Sequence, residues 1–241
     1  MVLKAIVFDA YETLCRNSPS FWHESFQELC DSQKLGIDHR VLWERWFTLE
    51  RQFRRRRLDT SSMTPKTPFE SYAEAWTGCF RQVFEEFGLD GDPIAATEIC
   101  IRDLGRRPLY PDTKPALMAL AGRVPLAVLS NADSSYLYPL LEHHELTGLF
   151  QAVIYSEEAG SYKPHRGIFD GILAKLHVEP HEAIQVGDTL KEDVWGAKLV
   201  GMRAIWVNRL GSQSLEAQVE PDYQIQDLRE ISGVIDRHGL L

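Results

Sequence analysis

Asp9 in VFDAYETL, Ser130 in VLSNAD and Asp188 in VGDTLKED each stand where a short apolar run gives way to polar residues. Lys163 in YKPH and Asp193, near the end of VGDTLKED, bring a further ammonium and a further carboxylate. Taken singly, each has an ordinary structural use: a carboxylate or a Ser-Asn pair caps helices and turns, and a lysine before proline sits on the surface. Position argues for chemistry. In open parallel sheets the ligand crevice lies beyond the carboxyl ends of the strands, and Asp9, Ser130 and Asp188 all fall at such ends.

The elements that must hold them are legible as patterns. Val2 to Phe8 is rich in branched residues and reads as a buried strand. From Tyr110 onwards strands and helices alternate. VPLAVLSNAD reads as a strand ending in polar residues, AVIYSEEAG as a strand and loop, and AIQVGDT and RAIWVNR as strands; PDTKPALMALAG, SYLYPLLEHHEL, HRGIFDGILAKL and KEDVWGAKLVG read as helices. That alternation implies right-handed crossovers and a doubly wound, Rossmann-like parallel sheet, an α/β fold. Between them, from about Ser20 to Gly105, apolar residues recur three and four apart in FWHESFQELCDSQ, VLWERWFTLERQFRRR and FESYAEAWTGCFRQVFEEFG. The expected organisation is a core of residues 1–16 and 106–241 with a helical cap domain, 17–105, inserted after the first strand. DTSSMTPKTPFE (Asp59 to Glu70), with its two prolines, reads as a loop between cap helices. Trp22, Trp43, Trp46 and Trp76 lie at helical spacings that suit core packing.

Composition narrows the function classes. The 241 residues are 44% hydrophobic and 25% charged, as in an ordinary globular protein, and the net charge of -9 argues against nucleic-acid binding. The basic run RQFRRRRL reads as a solvated helix face. Four cysteines, Cys15, Cys30, Cys79 and Cys100, match neither a zinc knuckle nor a disulfide framework, and reduced structural thiols are expected. No stretch reaches the roughly 18 apolar residues of a membrane span. The short amino-terminal apolar run does not read as a signal peptide, so a cytoplasmic protein is expected.

In order and spacing, FDAYET, LSNAD, YKPH and VGDTLKED resemble the four motifs of the haloacid dehalogenase superfamily, mostly phosphatases with a minority of dehalogenases and phosphonatases. The helical insert resembles that family's first type of cap. The resemblance makes Asp9 the nucleophile, forming an aspartyl-ester intermediate that water hydrolyses. It makes Thr13 an orienting hydroxyl, and Ser130 and Asn131 donors to substrate oxygens. Lys163 neutralises the attacking carboxylate and the anionic substrate. Asp188 corresponds to a magnesium ligand, joined by Asp9 and by the backbone carbonyl at Tyr11, while Asp193 supports the site through water or through Lys163.

Two motifs point to different reactions. The fourth resembles the phosphatase version: dehalogenases of the family carry serine at the position of Asp188, asparagine at Leu190 and tyrosine at Phe169. The first resembles 2-haloacid dehalogenases, which have tyrosine at Tyr11 and glycine at Glu12. Phosphatases instead place an aspartate at Tyr11 to protonate the leaving alcohol, and a phenol with an ordinary pKa of about 10 is a poor substitute. Glu12 stands one residue out of register for that role. Asp9 and Asp188 on neighbouring strand ends would repel an anion, Lys163 offsets only part of this, and a magnesium ion would resolve it. The first expectation is a magnesium-dependent hydrolase of a small phosphorylated metabolite. The second is a metal-independent 2-haloacid dehalogenase, with Arg16, Arg40 or Arg45 holding the substrate carboxylate. A weakly active regulatory or binding module is the third. The expected partner is a small anionic substrate, with neither nucleic acid nor membrane, and the chain a monomer or homodimer.

Overall fold

The structure is a computed structural model that describes residues 2–57, 68–211 and 219–241. Six strands form one all-parallel sheet: β1 (Ala5–Phe8), β2 (Leu126–Ser130), β3 (Ala152–Tyr155), β4 (Ala183–Gly187), β5 (Arg203–Val207) and β6 (Tyr223–Ile225), in the order β3-β2-β1-β4-β5-β6. The helices are α1 (Pro19–Gln33), α2 (His39–Arg56), α3 (Tyr72–Phe87), α4 (Pro93–Leu104), α5 (Thr113–Leu120), α6 (Ser134–His143), α7 (Ser156–Ala159), α8 (Arg166–Leu176), α9 (Gly196–Val200) and α10 (Glu230–Arg237).

β1, β2 and β4 are buried along their whole length, which is why their sequences are almost wholly apolar, Gln185 and the terminal Ser130 apart, rather than alternating. One face of the sheet packs on Ile168, Phe169 and Ile172 of α8 and on Ala197 of α9. β1 lies between β2 and β4, pairing Ile6 with Leu126 and Ile184. The chain steps from β1 to β2 and β3 on one side and then crosses back to β4 on the other side of β1, so the crevice at the strand ends is centred on the residues that follow Phe8, Leu129 and Gly187.

The chain forms two compact units. One comprises the segment ending at Arg16, Pro108–Asn131 and His144–Leu241; the other comprises Asn17–Arg107 and Ala132–His143. The second unit is all helix. α1 starts at Pro19, α2 is capped by Asp38, and α3 begins in a capping box in which Ser71 Oγ accepts from Glu74 N and Glu74 Oε2 accepts from Ser71 N. α6 belongs to this unit for two visible reasons. The Asp133 carboxylate accepts from Tyr72 N (3.1 Å) and Ala73 N (2.8 Å), placing a negative charge on the amino end of α3, and Tyr136 stacks on Trp76 with ring centres 5.8 Å apart. Trp46 and Trp76 are fully buried as expected, whereas Trp22 and Trp43 are half-buried.

Several elements differ from the sequence expectation. The first strand begins at Ala5 rather than Val2. SEEAG forms the one-turn helix α7, closed by Gly160 with φ 58°, rather than a loop. KEDVWGAKLVG opens with a π-turn, Leu190–Trp195, before α9. β6 and α10 follow the expected elements; three residues of strand are too few to show a period. In the basic run, Arg51, Arg54, Arg55 and Arg56 are exposed, but Arg57 is buried and donates to Tyr72 Oη at 2.5 Å. Leu58 and most of the expected loop, residues 58–67, lie outside the described residues.

All four cysteines are free and buried, and burial pushes the Cys30 thiol up to about 11 and that of Cys79 to about 12. Among the described residues, no helix is long and apolar enough to cross a membrane.

Candidate active site

Lys163 is the centre of the site. Its ammonium, 2% exposed, donates to Asp9 Oδ1 at 2.7 Å, to Asp193 Oδ1 at 2.6 Å and to the Leu129 carbonyl at 3.3 Å. Burial opposes its charge, but Asp193 and Asp9 outweigh that and hold its pKa above the usual lysine value. The backbone of Lys163 is fixed in turn by Asn131, whose Oδ1 accepts from Lys163 N at 2.7 Å and whose Nδ2 donates to the Lys163 carbonyl at 3.3 Å and to Glu192 Oε2 at 2.9 Å. Asn131 thus spends its amide as a bracket on the lysine loop, where the sequence suggested a donor to substrate.

Asp9 follows β1 directly and is 6% exposed; Ser130 Oγ donates to Asp9 Oδ1 over a long 3.4 Å. Asp193 reaches the same lysine from the π-turn. Its Oδ1 also accepts from Gln185 Nε2 (3.1 Å) and its Oδ2 from Thr189 N (3.1 Å). The carboxylate lies flat on Gly187, where an added Cβ would sit 2.1 Å from Asp193 Cγ, so glycine is required at the end of β4. Gln185 was not singled out from the sequence, although one polar residue in the buried strand AIQVG was the available signal.

Asp188 is half-buried. Its Oδ1 accepts from Thr13 Oγ1 at 3.4 Å, and its carbonyl accepts from Trp206 Nε1 at 2.8 Å. Thr13 is fully buried, and its carbonyl accepts from Arg209 Nη2 at 2.8 Å.

Glu12 has φ 64°, the left-handed region that glycine occupies most freely, and its side chain is turned to Tyr110, whose hydroxyl donates to Glu12 Oε2 at 2.5 Å. The Arg209 guanidinium lies 3.6 Å from the centre of the Tyr110 ring and donates to Asp112 Oδ2 at 2.9 Å. Arg209 and Tyr110 therefore brace the loop after β1, a role visible only once β5 and that loop are folded together. Tyr11 is half-buried on this loop. Of the three arginines considered, Arg45 is held by both oxygens of Glu86 in the helical unit and Arg16 lies over the Tyr110 ring at 5.7 Å.

Carboxylate oxygens of Asp9, Asp188 and Asp193 lie within 4.8 Å of one another. Two of these three acids, Asp9 and Asp193, share one ammonium. Burial first, then Asp9 and Asp193, push the Asp188 pKa well above the ordinary carboxylate value; burial likewise raises Asp193, up to about 7, against the pull of Lys163. A donor set of hard oxygens carrying uncompensated negative charge fits a divalent cation such as magnesium, with Asp9 and Asp188 as carboxylate ligands.

The chain matches the model of the haloacid dehalogenase-like hydrolases over residues 3–201. It is 37% identical over 180 residues to the phosphoserine phosphatase of Thermus thermophilus, a match covering 68% of this chain and 69% of that protein. It is 27% identical to haloacetate dehalogenase H-2 of a Moraxella species, over 92% of this chain and 93% of that one. The magnesium-bound HAD-hydrolase YfnB of Bacillus subtilis superposes with a TM-score of 0.80 at 18% identity, covering 98% of this chain and all of that one, which shows the shared fold. The six-stranded, all-parallel α/β sheet is the fold shared with that structure. The chain belongs to the haloacid dehalogenase-like hydrolase family and is a hydrolase.

Proposed function

We propose that the protein is a magnesium-dependent phosphatase of a small phosphorylated metabolite, with Asp9 as nucleophile. The observation that carries this reading is the clustering of charge: carboxylate oxygens of Asp9, Asp188 and Asp193 lie within 4.8 Å of one another, and Lys163 pairs with Asp9 and Asp193 but not with Asp188. A bound phosphate would add to the repulsion unless a divalent cation stood among the acids. Magnesium, held by Asp9, Asp188 and the Tyr11 carbonyl, would supply that charge and polarise a phosphoryl oxygen. The phosphoserine phosphatase of the Thermus relative supports a small phosphomonoester as substrate.

The chain's own residues divide the work. The Asp9 carboxylate attacks phosphorus, forming an aspartyl phosphate as the bond to the leaving oxygen breaks. Lys163 reduces the charge on that carboxylate, and Ser130 donates to the phosphoryl oxygens. Water then cleaves the acyl phosphate and returns Asp9 as a carboxylate. Tyr11 offers no acid of suitable pKa and Glu12 is engaged by Tyr110, so the leaving alkoxide takes its proton from solvent. Substrates with good leaving groups should therefore turn over fastest.

A second reading, metal-independent 2-haloacid dehalogenation, is favoured by Tyr11 itself: halide leaves without a proton and needs no acid beside Asp9. The near full-length similarity to the Moraxella dehalogenase supports it. One experiment separates the two. Purified protein is given aryl phosphates and 2-chloropropionate, each with magnesium and with a chelator. Phosphate release that requires magnesium is the expected result, and halide release indifferent to chelator would overturn it.

A further inference from the structure

Lys163 is held by its backbone as well as by its ammonium, and the same short turn supplies both holds. Glu192 and Asp193 are neighbours in the π-turn Leu190–Trp195. Asp193 Oδ1 accepts from Lys163 Nζ at 2.6 Å. Glu192 Oε2 accepts from Asn131 Nδ2 at 2.9 Å, and Asn131 in turn accepts from Lys163 N at 2.7 Å and donates to the Lys163 carbonyl at 3.3 Å. The element after the turn touches the lysine loop too. A Cβ added at Gly196 would lie 3.1 Å from Pro164 Cα and 2.6 Å from the Phe169 ring, so the loop packs on the backbone at the start of α9.

Asn131 follows β2 directly and the π-turn follows β4, and these two strands flank β1, which delivers Asp9. The Asn131–Glu192 bond therefore joins the loops on either side of the nucleophile. Its acceptor is a carboxylate, which makes it roughly twice as strong as a neutral hydrogen bond. A side-chain amide has two N–H donors, and Asn131 commits one to Glu192 and the other to the Lys163 carbonyl. With Nδ2 so held, Oδ1 faces the Lys163 N–H; the reversed amide would set its oxygen against two acceptors and its nitrogen against a donor. We infer that Glu192 is a positioning residue for Lys163: acting through Asn131, it fixes the backbone from which the ammonium reaches Asp9. The inference rests on Asp9 as nucleophile and not on the atom attacked, so it holds for phosphorus and for carbon.

Three variants separate reach from charge. Glu192→Ala removes both, Glu192→Gln keeps an oxygen acceptor at the same reach without the charge, and Glu192→Asp keeps the charge one methylene short. The residue is half-buried, so none of them cuts into the core. Amide hydrogen exchange of the whole protein, followed by NMR, reads the bracket without turnover. The Lys163 N–H should exchange about tenfold faster than in the parent in the Ala and Asp variants, and within about twofold of it in the Gln variant. With aryl phosphate and magnesium, kcat should fall about tenfold in the Ala and Asp variants and by less than about threefold in the Gln variant. In an Asn131→Ala background, Glu192→Ala should cost nothing further, because the bracket is already gone. Parent-like exchange in the Ala variant overturns the inference, as does a Gln variant that loses as much as Ala. Losses that multiply in the double variant overturn it as well. A parent that releases no phosphate would instead count against the phosphatase reading, and the exchange comparison would still decide this one.

Discussion

The two units solve the problem of buried polar groups in opposite ways. At the strand ends of the α/β unit, the buried charges are cross-linked: one Lys163 ammonium serves Asp9 and Asp193, Gln185 and Thr189 N hold Asp193, and Asn131 pins the lysine backbone. In the helical unit, aromatic rings dominate, and Trp43, Trp46 and Glu50 keep buried polar atoms without partners. The first arrangement has hydrogen bonds in plenty and too much negative charge. The second has nearly balanced charge and too few hydrogen bonds.

The largest effect should come from Asp9→Asn. Loss of the nucleophile is expected to lower kcat by about 10⁴-fold or more, while metal-free stability in urea holds or rises, because one of three mutually repelling acids is neutralised. A clear fall in stability would show that the cluster is not over-charged.

Next comes Lys163→Met, which leaves the acids with no counter-charge. Breaking such a buried pair should cost about 3–5 kcal/mol in the urea midpoint analysis, and magnesium should restore part of it. The comparison fails if the variant is as stable as the parent without metal.

The pH dependence is of similar size and has a definite sign. Asp188 and Asp193 have raised pKa values in the folded protein, Asp193 about 7, so the native state keeps protons that the unfolded chain releases near pH 4. Raising the pH through that window therefore favours unfolding. The metal-free protein should lose on the order of 3 kcal/mol between pH 4 and 7. Magnesium should stabilise more at pH 7 than at pH 5, as read by thermal midpoints with and without chelator. Equal magnesium shifts at both values would remove the carboxylates from the metal site.

The smallest effect belongs to the helical unit, where Asp133 caps α3 through two backbone N–H groups. Asp133→Ala should cost about 1–2 kcal/mol. Asp133 closes the second motif, yet these two bonds go to the amino end of α3, so the magnesium dependence of stability should stay as in the parent.

The chemistry was more legible than its supports. Asp9, Ser130, Asp188 and Lys163 stand beside apolar runs or turn residues, and a buried strand leaves a clear apolar pattern that marks its end. Gln185, Arg209 and Tyr110 carry no such mark. Gln185 interrupts a strand by a single residue, and Arg209 and Tyr110 meet across 99 positions of chain. Asn131 was expected to donate to substrate beside Ser130; the structure turns its amide onto Lys163. β6 was too short to show a period, and α6, helical as expected, clusters with α1 to α4 because its partners lie on α3.

The sequence by itself determined the parallel α/β fold, the helical insert and the placement of Asp9, Ser130 and Asp188 at strand ends, since these follow from local periodicity and from where apolar runs stop. Only the tertiary structure decided that three carboxylates cluster, two of them on one ammonium, and that Glu12 is turned away to Tyr110. Those facts depend on distances between residues far apart in the chain, and on the low-dielectric interior that makes each unpaired charge or donor count.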